Sequence, residues 1–402
     1  MQRIAITGIG SINALGAGVA RFDAGLRGGT CAIGTLTLFD PKGFRSVCAA
    51  EVGPVSLPAS VPRSIARRAS RSARLALIAA DEAWRDAGLG ATDAADAGIV
   101  IGTTTGGMLS GEECYRRQLH GERRQRLSGW LETPVGTPAD TLAAVVGCGG
   151  PRLTVSTACS SGANALGIAV DWIRSGLTDV VLCGGTDSLC RMTFSGFNAL
   201  QALDRVPCRP FDRHRAGLTL GEGAALFVLE GWSRARARDA TILGELVSYG
   251  TSADAHHLTQ PRPDGAGQIA ALRRALAEGG IAAEEIDYVN AHGTGTPLND
   301  VIETRTLKAV LGPHAYRIPI SSTKSMIGHC LGAAGAIEAL ASLLAIRGGF
   351  VPPTATLAEP DDECDLDYVP RTSRAAAVRT VVSNSYGFGG NNTSVILRAY
   401  DG

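Results

Sequence analysis

The stretch Thr154-Val-Ser-Thr-Ala-Cys-Ser-Ser-Gly-Ala-Asn-Ala-Leu-Gly167 reads as a short β-branched strand that turns sharply into a helix, whose apolar face continues through Ile168, Trp172 and Ile173. Cys159 sits at that turn, near the positive end of the helix dipole, a place that favours the thiolate and hence nucleophilic chemistry. A cysteine is also a small apolar residue that often does no more than pack. Only partners elsewhere in the chain can separate a covalent nucleophile from a buried thiol.

Strand-like and helix-like runs alternate on both sides of this stretch. Before it come a strand at Ile4–Ile9, one long helix over Arg63–Ala87, and a buried strand at Ala97–Gly102. After it come strands at Asp179–Cys183, Ala224–Leu229 and Leu243–Tyr249, and a helix at Gln268–Gly279. Further on, Ile286–Ala291 and Ile318–Ser322 read as strands, Val301–Leu311 and Gly332–Arg347 as helices, and Val378–Ser383 and Asn392–Leu397 as closing strands. Apolar runs of this length between helices predict a parallel or mixed sheet buried on both faces. Ser322-Thr323 repeats the Ser-Thr that precedes Cys159, again ahead of small residues and an apolar helix, a weak internal repeat. The expectation is an α/β chain of two similar halves, 1–235 and 236–402, stacked into one compact unit with the site between them.

Three further segments carry polar residues in flexible turns. Val289-Asn-Ala-His-Gly-Thr-Gly-Thr-Pro-Leu-Asn-Asp300 holds His292, and Ser321-Ser-Thr-Lys-Ser-Met-Ile-Gly-His-Cys-Leu-Gly-Ala-Ala-Gly-Ala-Ile-Glu338 holds Lys324, His329 and Glu338. Ser383-Asn-Ser-Tyr-Gly-Phe-Gly-Gly-Asn-Asn392 supplies a turn whose N–H groups can approach a substrate. One job fits all four. A thioester attacked by Cys159 needs donors for its oxyanion, which the turn at Phe388 can offer. Two histidines can polarise a second carbonyl through their Nε2–H groups. Lys324 and Glu338, in the same motif as His329, are expected to fix that ring's tautomer.

Composition excludes several other classes. Across 402 residues, 38 basic and 38 acidic side chains cancel, which disfavours nucleic acid or a membrane surface as the bulk partner. The start, Met-Gln-Arg-Ile-Ala-Ile-Thr-Gly-Ile-Gly, reads as a strand and turn rather than a signal peptide, and no apolar run is expected to span a membrane. The 10 cysteines form no CxxC pair, so neither a zinc site nor a disulfide framework is indicated, and a cytoplasmic location fits.

These motifs resemble those of the β-ketoacyl-acyl-carrier-protein synthases of the condensing-enzyme, or thiolase-fold, superfamily with a Cys-His-His triad. The resemblance runs from Ile4-Ala-Ile-Thr-Gly-Ile-Gly to Gly387-Phe-Gly-Gly and rests on Thr-Ala-Cys-Ser-Ser-Gly, Asn-Ala-His-Gly-Thr-Gly-Thr and Ser-Thr-Lys-Ser-Met-Ile-Gly-His. It implies a thiolase-like α-β-α-β-α body and a decarboxylative condensation of malonyl-carrier protein with an acyl chain on Cys159. It also implies that His292 and His329 stabilise the enolate, that Lys324 and Glu338 support His329, and that the N–H groups of Cys159 and Phe388 form the oxyanion hole. Phe388 matches a gating phenylalanine, Thr294 and Thr296 a pair that binds phosphopantetheine, and His257 lies near its entry. Thr105 and Phe197 match acyl-pocket positions. No metal or organic cofactor is implied.

The implied partners are an acyl carrier protein and either an identical subunit or a chain-length-factor-like one. Carrier proteins are acidic, and Arg63, Arg67, Arg68 and Arg71 match a docking helix. Gln201 stands where close relatives carry Arg, with Arg205 offering a substitute, while Arg123-Arg-Gln-Arg126 reads as an ordinary exposed run. The small polar Thr105 implies a pocket not tuned only for saturated alkyl chains, and Asn391-Asn392 together with Cys208-Arg-Pro-Phe-Asp212 resembles synthases of specialised polyene or polyketide pathways. Two other readings remain: a non-catalytic partner subunit, which usually lacks the nucleophile, and a coenzyme A thiolase, which would want a second cysteine in the closing turn.

Overall fold

The computed structural model describes residues 2–122 and 127–402, so the Arg123–Arg126 run lies outside the described residues. Ten strands carry the architecture. They are β1 (Ile4–Asn13), β2 (Gly98–Gly102), β3 (Arg152–Val155), β4 (Val180–Asp187), β5 (Gly223–Gly231), β6 (Gly244–Ala253), β7 (Tyr288–Asn290), β8 (Ile320–Ser321), β9 (Thr380–Gly387) and β10 (Asn391–Arg398). Their order is β8-β7-β9-β10-β6-β1-β5-β4-β2-β3. Read outward from the central β1–β6 pair, each half repeats one pattern. The two outermost pairings are parallel, β2 with β3 and β4, and β7 with β8 and β9. The inner pairings, including the β1–β6 join at Ala5–Glu245, are antiparallel. The repeat suspected from Ser-Thr is therefore a duplication of the whole strand order.

Five helices layer onto this sheet: α1 (Arg71–Asp86), α2 (Ser161–Arg174), α3 (Ala266–Gly279), α4 (Pro297–Leu311) and α5 (Ala334–Gly348). Helices α2 and α5 pack against each other and against strands of both halves, making the middle layer. Helix α1 covers β1 and β5 on one outside, and α3 covers β6 and β10 on the other. The apolar cores follow these layers, with α2 and α5 in the central one and α1 and α3 in separate outer ones. The 18 residues Leu331–Gly348 are apolar and long enough to cross a membrane, contrary to the sequence expectation, and are 83% buried inside the protein. Alanine and leucine all round that helix reflect its place in the middle layer.

The single helix expected over Arg63–Ala87 is two. A four-residue turn, Arg63–Ala66, stops short, and Ser70 in an extended conformation caps α1 by accepting the N–H of Ala73. Serine competes for backbone donors outside helices, so it starts a helix more readily than it continues one. Helix α4 begins earlier than its apolar pattern, at Pro297, where a missing N–H costs nothing.

Candidate active site

Cys159 stands on a tight elbow between β3 and α2. Ala158 just before it is held at φ 52°, a left-handed conformation unusual for a residue with a side chain. Neighbouring hydroxyls hold this conformation. Ser161 Oγ donates to the Ala158 carbonyl at 2.6 Å and accepts the Thr157 N–H at 2.9 Å. Ser160 Oγ donates to the Thr157 carbonyl at 2.9 Å. Asn164 reaches back to Thr157 and takes a hydrogen bond from Thr393, tying the elbow to the second half.

The thiolate expectation is corrected here. Burial pushes the Cys159 thiol up to about 11, more than the nearby backbone N–H groups of Phe388 and Cys159 and the charge of Lys324 offset. The sulfur is thus a thiol at rest. The backbone N–H groups of Phe388 and of Cys159 itself both lie near enough to the sulfur to favour its charged form. Gly387 permits the approach: a Cβ there would lie 3.0 Å from the Thr157 carbonyl oxygen and 3.1 Å from the Cys159 nitrogen.

Both histidines meet this sulfur. The Cys159 sulfur and one ring nitrogen of each of His292 and His329 all lie within 4.8 Å of one another, a donor set that a thiophilic metal could also occupy. The rings stand edge to face, with centroids 5.5 Å apart. Burial, reinforced by the charge on Lys324, holds both rings well below the usual histidine range, so both are neutral at physiological pH.

Their tautomers are set by different neighbours. His329 Nδ1 accepts the N–H of Leu331 at 3.1 Å, which leaves the proton on Nε2. Among the described residues that Nε2 has no hydrogen-bond partner. At His292, Lys324 Nζ approaches Nδ1 at 3.3 Å and donates to the backbone carbonyl at 2.6 Å, and the same ammonium is paired with Glu338. The Lys324–Glu338 pair therefore supports His292, not His329 as expected from its motif. Fourteen residues of chain fold so that the lysine points across β8 to β7 rather than along its own turn.

Sequence reasoning missed Glu303. It is fully buried on α4 and accepts the N–H groups of His292 and Gly293, each at 2.8 Å. Burial raises its carboxyl to about 7. The available signal was an acid among Val301, Ile302 and Thr304, on a helix otherwise buried at those positions.

A cavity of about 350 Å³ opens onto the triad and is lined by Cys159, His292, His329, Phe388, Phe197, Thr294 and Thr296, among others. Thr294 and Thr296 share a hydroxyl hydrogen bond of 2.9 Å. Phe197 stacks on Phe388 in the cavity wall, with centroids 5.4 Å apart. His257 is exposed beyond the rim, its Nδ1 accepting the N–H groups of Thr259 and Gln260, which do line the cavity. Thr105 is not on the wall; its hydroxyl donates to Asp187 at 2.7 Å.

The four arginines do not share one helix. Arg63, Arg67 and Arg68 are exposed on the short turn and its exit. Arg71 is turned inward, with Nε 2.7 Å from the buried Glu222, and is corrected from docking residue to structural partner.

Comparison with known proteins agrees with this geometry. Residues 1–235 match the family model for the beta-ketoacyl synthase N-terminal domain, and residues 243–358 that for its C-terminal domain. A 3-oxoacyl-[acyl-carrier-protein] synthase 2 of Synechocystis is 39% identical, over 99% of this chain and 98% of its own. A putative polyketide beta-ketoacyl synthase 1 of Streptomyces halstedii is 42% identical, over 98% of both. The solved ishigamide ketosynthase/chain length factor superposes with a TM-score of 0.92 at 37% identity, over 99% of each chain. With both halves matched and relatives aligned from end to end, the chain belongs to the β-ketoacyl synthase family of thiolase-fold condensing enzymes.

Proposed function

We propose that this protein is a 3-oxoacyl-[acyl-carrier-protein] synthase whose acyl acceptor is Cys159. The observation that carries the reading is the Cys159 sulfur facing two neutral histidines, with a second substrate's cavity opening onto all three. In the first step the sulfur attacks a carrier-bound thioester. A carbon–sulfur bond to Cys159 forms, the bond to the carrier's pantetheine breaks, and the thiol proton passes to the departing sulfur. Backbone N–H groups of Cys159 and Phe388 hold the oxyanion. In the second step Nε2–H groups of His292 and His329 bind the malonyl thioester oxygen as the carboxylate leaves as carbon dioxide. The resulting carbanion displaces the Cys159 sulfur, which recovers a proton, and the product is a 3-oxoacyl chain two carbons longer. Lys324 and Glu338 orient His292, Phe388 gates malonyl entry against Phe197, and Thr294, Thr296 and His257 border the pantetheine path. Residues 1–235 supply the nucleophile and 236–402 both histidines. The substrates bring their own phosphopantetheine, and the chemistry asks for no further cofactor.

A second subunit fits the open edge of β3, where Leu153 is exposed, and the exposed Leu119, Leu127, Trp130 and Leu131 offer it further apolar surface. That subunit is an identical chain or a chain-length-factor-like one. The latter follows the solved ketosynthase/chain length factor pair and, with the Streptomyces relative, favours a specialised polyene or polyketide pathway. All ten cysteines are free, as suits a reducing cytoplasm.

The test is to incubate wild type and Cys159→Ala with acyl-carrier protein, follow the intact protein by mass, then add malonyl-carrier protein with saturated or conjugated primers. An acyl adduct and elongation in wild type alone are expected. Elongation retained without Cys159, or no adduct on the wild-type chain with any primer or subunit, would overturn the reading.

A further inference from the structure

Asp187, the last residue of β4, is fully buried and plays no part in the chemistry above. Its carboxylate accepts five hydrogen bonds. Oδ1 takes the Thr103 hydroxyl at 2.7 Å, the Thr105 N–H at 2.8 Å and the Thr105 hydroxyl at 2.7 Å. Oδ2 takes the Thr104 N–H at 2.8 Å and the Gly332 N–H at 2.6 Å. The last of these crosses from the first half of the chain to the second.

Gly332 belongs to the short turn that sets the His329 ring. Leu331, forced to φ 50°, points its N–H at His329 Nδ1, and the next N–H along the chain goes to Asp187. The turn lies flush on the carboxylate, since a Cβ at Gly332 would come within 2.7 Å of both Asp187 Oδ2 and the Thr104 nitrogen. A left-handed leucine is a costly conformation that persists only where its surroundings enforce it.

We propose that Asp187 is a positioning residue for the condensation step, holding the Leu331–Gly332 turn so that His329 presents Nε2–H to the malonyl thioester. It touches neither substrate nor sulfur and acts through His329. The inference rests on the condensing reaction assigned above. Asn at this position keeps one oxygen for the two backbone N–H groups of Thr104 and Gly332. Its amide then faces two threonine hydroxyls, which can turn to accept, and the Thr105 N–H, which loses its acceptor on the oxygen that Gly332 does not use. Ala offers no acceptor at all.

The test compares wild type, Asp187→Ala and Asp187→Asn in the two half-reactions, alongside nitrogen-15 spectra of the histidine rings. For Asp187→Ala, kcat for condensation is expected to fall about 100-fold, as a misplaced reacting group costs, with KM for malonyl-carrier protein little changed. Acyl loading of Cys159 stays within about threefold because the oxyanion donors are untouched. The His329 signal changes from a fixed Nε2–H form to a mixture, and Asp187→Asn restores both rate and signal. Wild-type kcat in Asp187→Ala, or equal losses in loading and condensation with the His329 signal unchanged, overturns the proposal. Should Asp187→Ala not fold, a neutral wild-type His329 protonated on Nδ1 overturns it by itself. Failure of the wild-type chain to load Cys159 refutes the ketosynthase reading instead, so the two failures are distinct.

Discussion

Burial sets the protonation state of nearly every reacting group in this site. The Cys159 thiol, raised to about 11, predicts that inactivation by iodoacetamide speeds up through pH 7 to 9 and keeps rising towards that value. An ordinary exposed cysteine levels off once past about 8.5, and such a plateau here would refute the burial account. Glu303 gives a prediction of stability. Its folded carboxyl titrates near 7 against an ordinary 4.5, so the folded state binds the extra proton between those values and stability falls as pH rises through that window. Urea unfolding measured at half-unit steps should show this decline in wild type and a shallower one in Glu303→Gln, whatever the variant's absolute stability. Equal slopes would mean that Glu303 ionises in the folded chain as freely as in the unfolded one.

At the level of elements, what is legible in sequence is what local chemistry decides. The Cys159 elbow was readable because β-branched residues end where Ser-Ser-Gly begins, and the helix of the middle layer because alanine and leucine leave it no polar face. The two-helix break near Arg67 was hidden by a periodicity that runs unbroken across it, although Ser70 is a good cap residue. Ser70→Ala should lower stability by about 1 kcal/mol in a denaturant titration while leaving condensation intact. A loss of activity instead would tie that cap to the site. The partner of Lys324 was illegible for another reason. Motif neighbours in sequence suggested His329, but which ring a lysine reaches depends on the β7–β8 register, and that is fixed by packing over the whole sheet. Glu303 and Asp187 escaped notice likewise, because a buried acid acquires meaning only from backbone N–H groups that distant segments bring to it.

For the molecule as a whole, zero net charge leaves exposed apolar and exposed basic residues that can each be tested for a task. Exposed apolar side chains predict association: Leu131, 74% exposed, should hold a subunit pair together, and Leu131→Glu should shift the sedimentation of the purified chain towards monomer. The basic patch is the turn on which Arg63, Arg67 and Arg68 are exposed, while Arg71 is turned inward to Glu222. An acidic carrier protein is drawn by such a face in proportion to charge and inversely to salt. Reversing Arg63 and Arg67 to Glu should therefore raise KM for acyl-carrier protein roughly tenfold at low salt, leave kcat unchanged, and flatten the salt dependence. The same substrate carried on a short pantetheine thioester, which has no acidic surface, should be turned over as in wild type. Arg71→Glu should behave differently, because it leaves Glu222 buried against a like charge and costs about 3–5 kcal/mol of stability rather than docking. If all three reversals instead raised KM alike with folding intact, the inward pairing of Arg71 would be wrong, and with it the division of the arginine cluster into a docking part and a structural part.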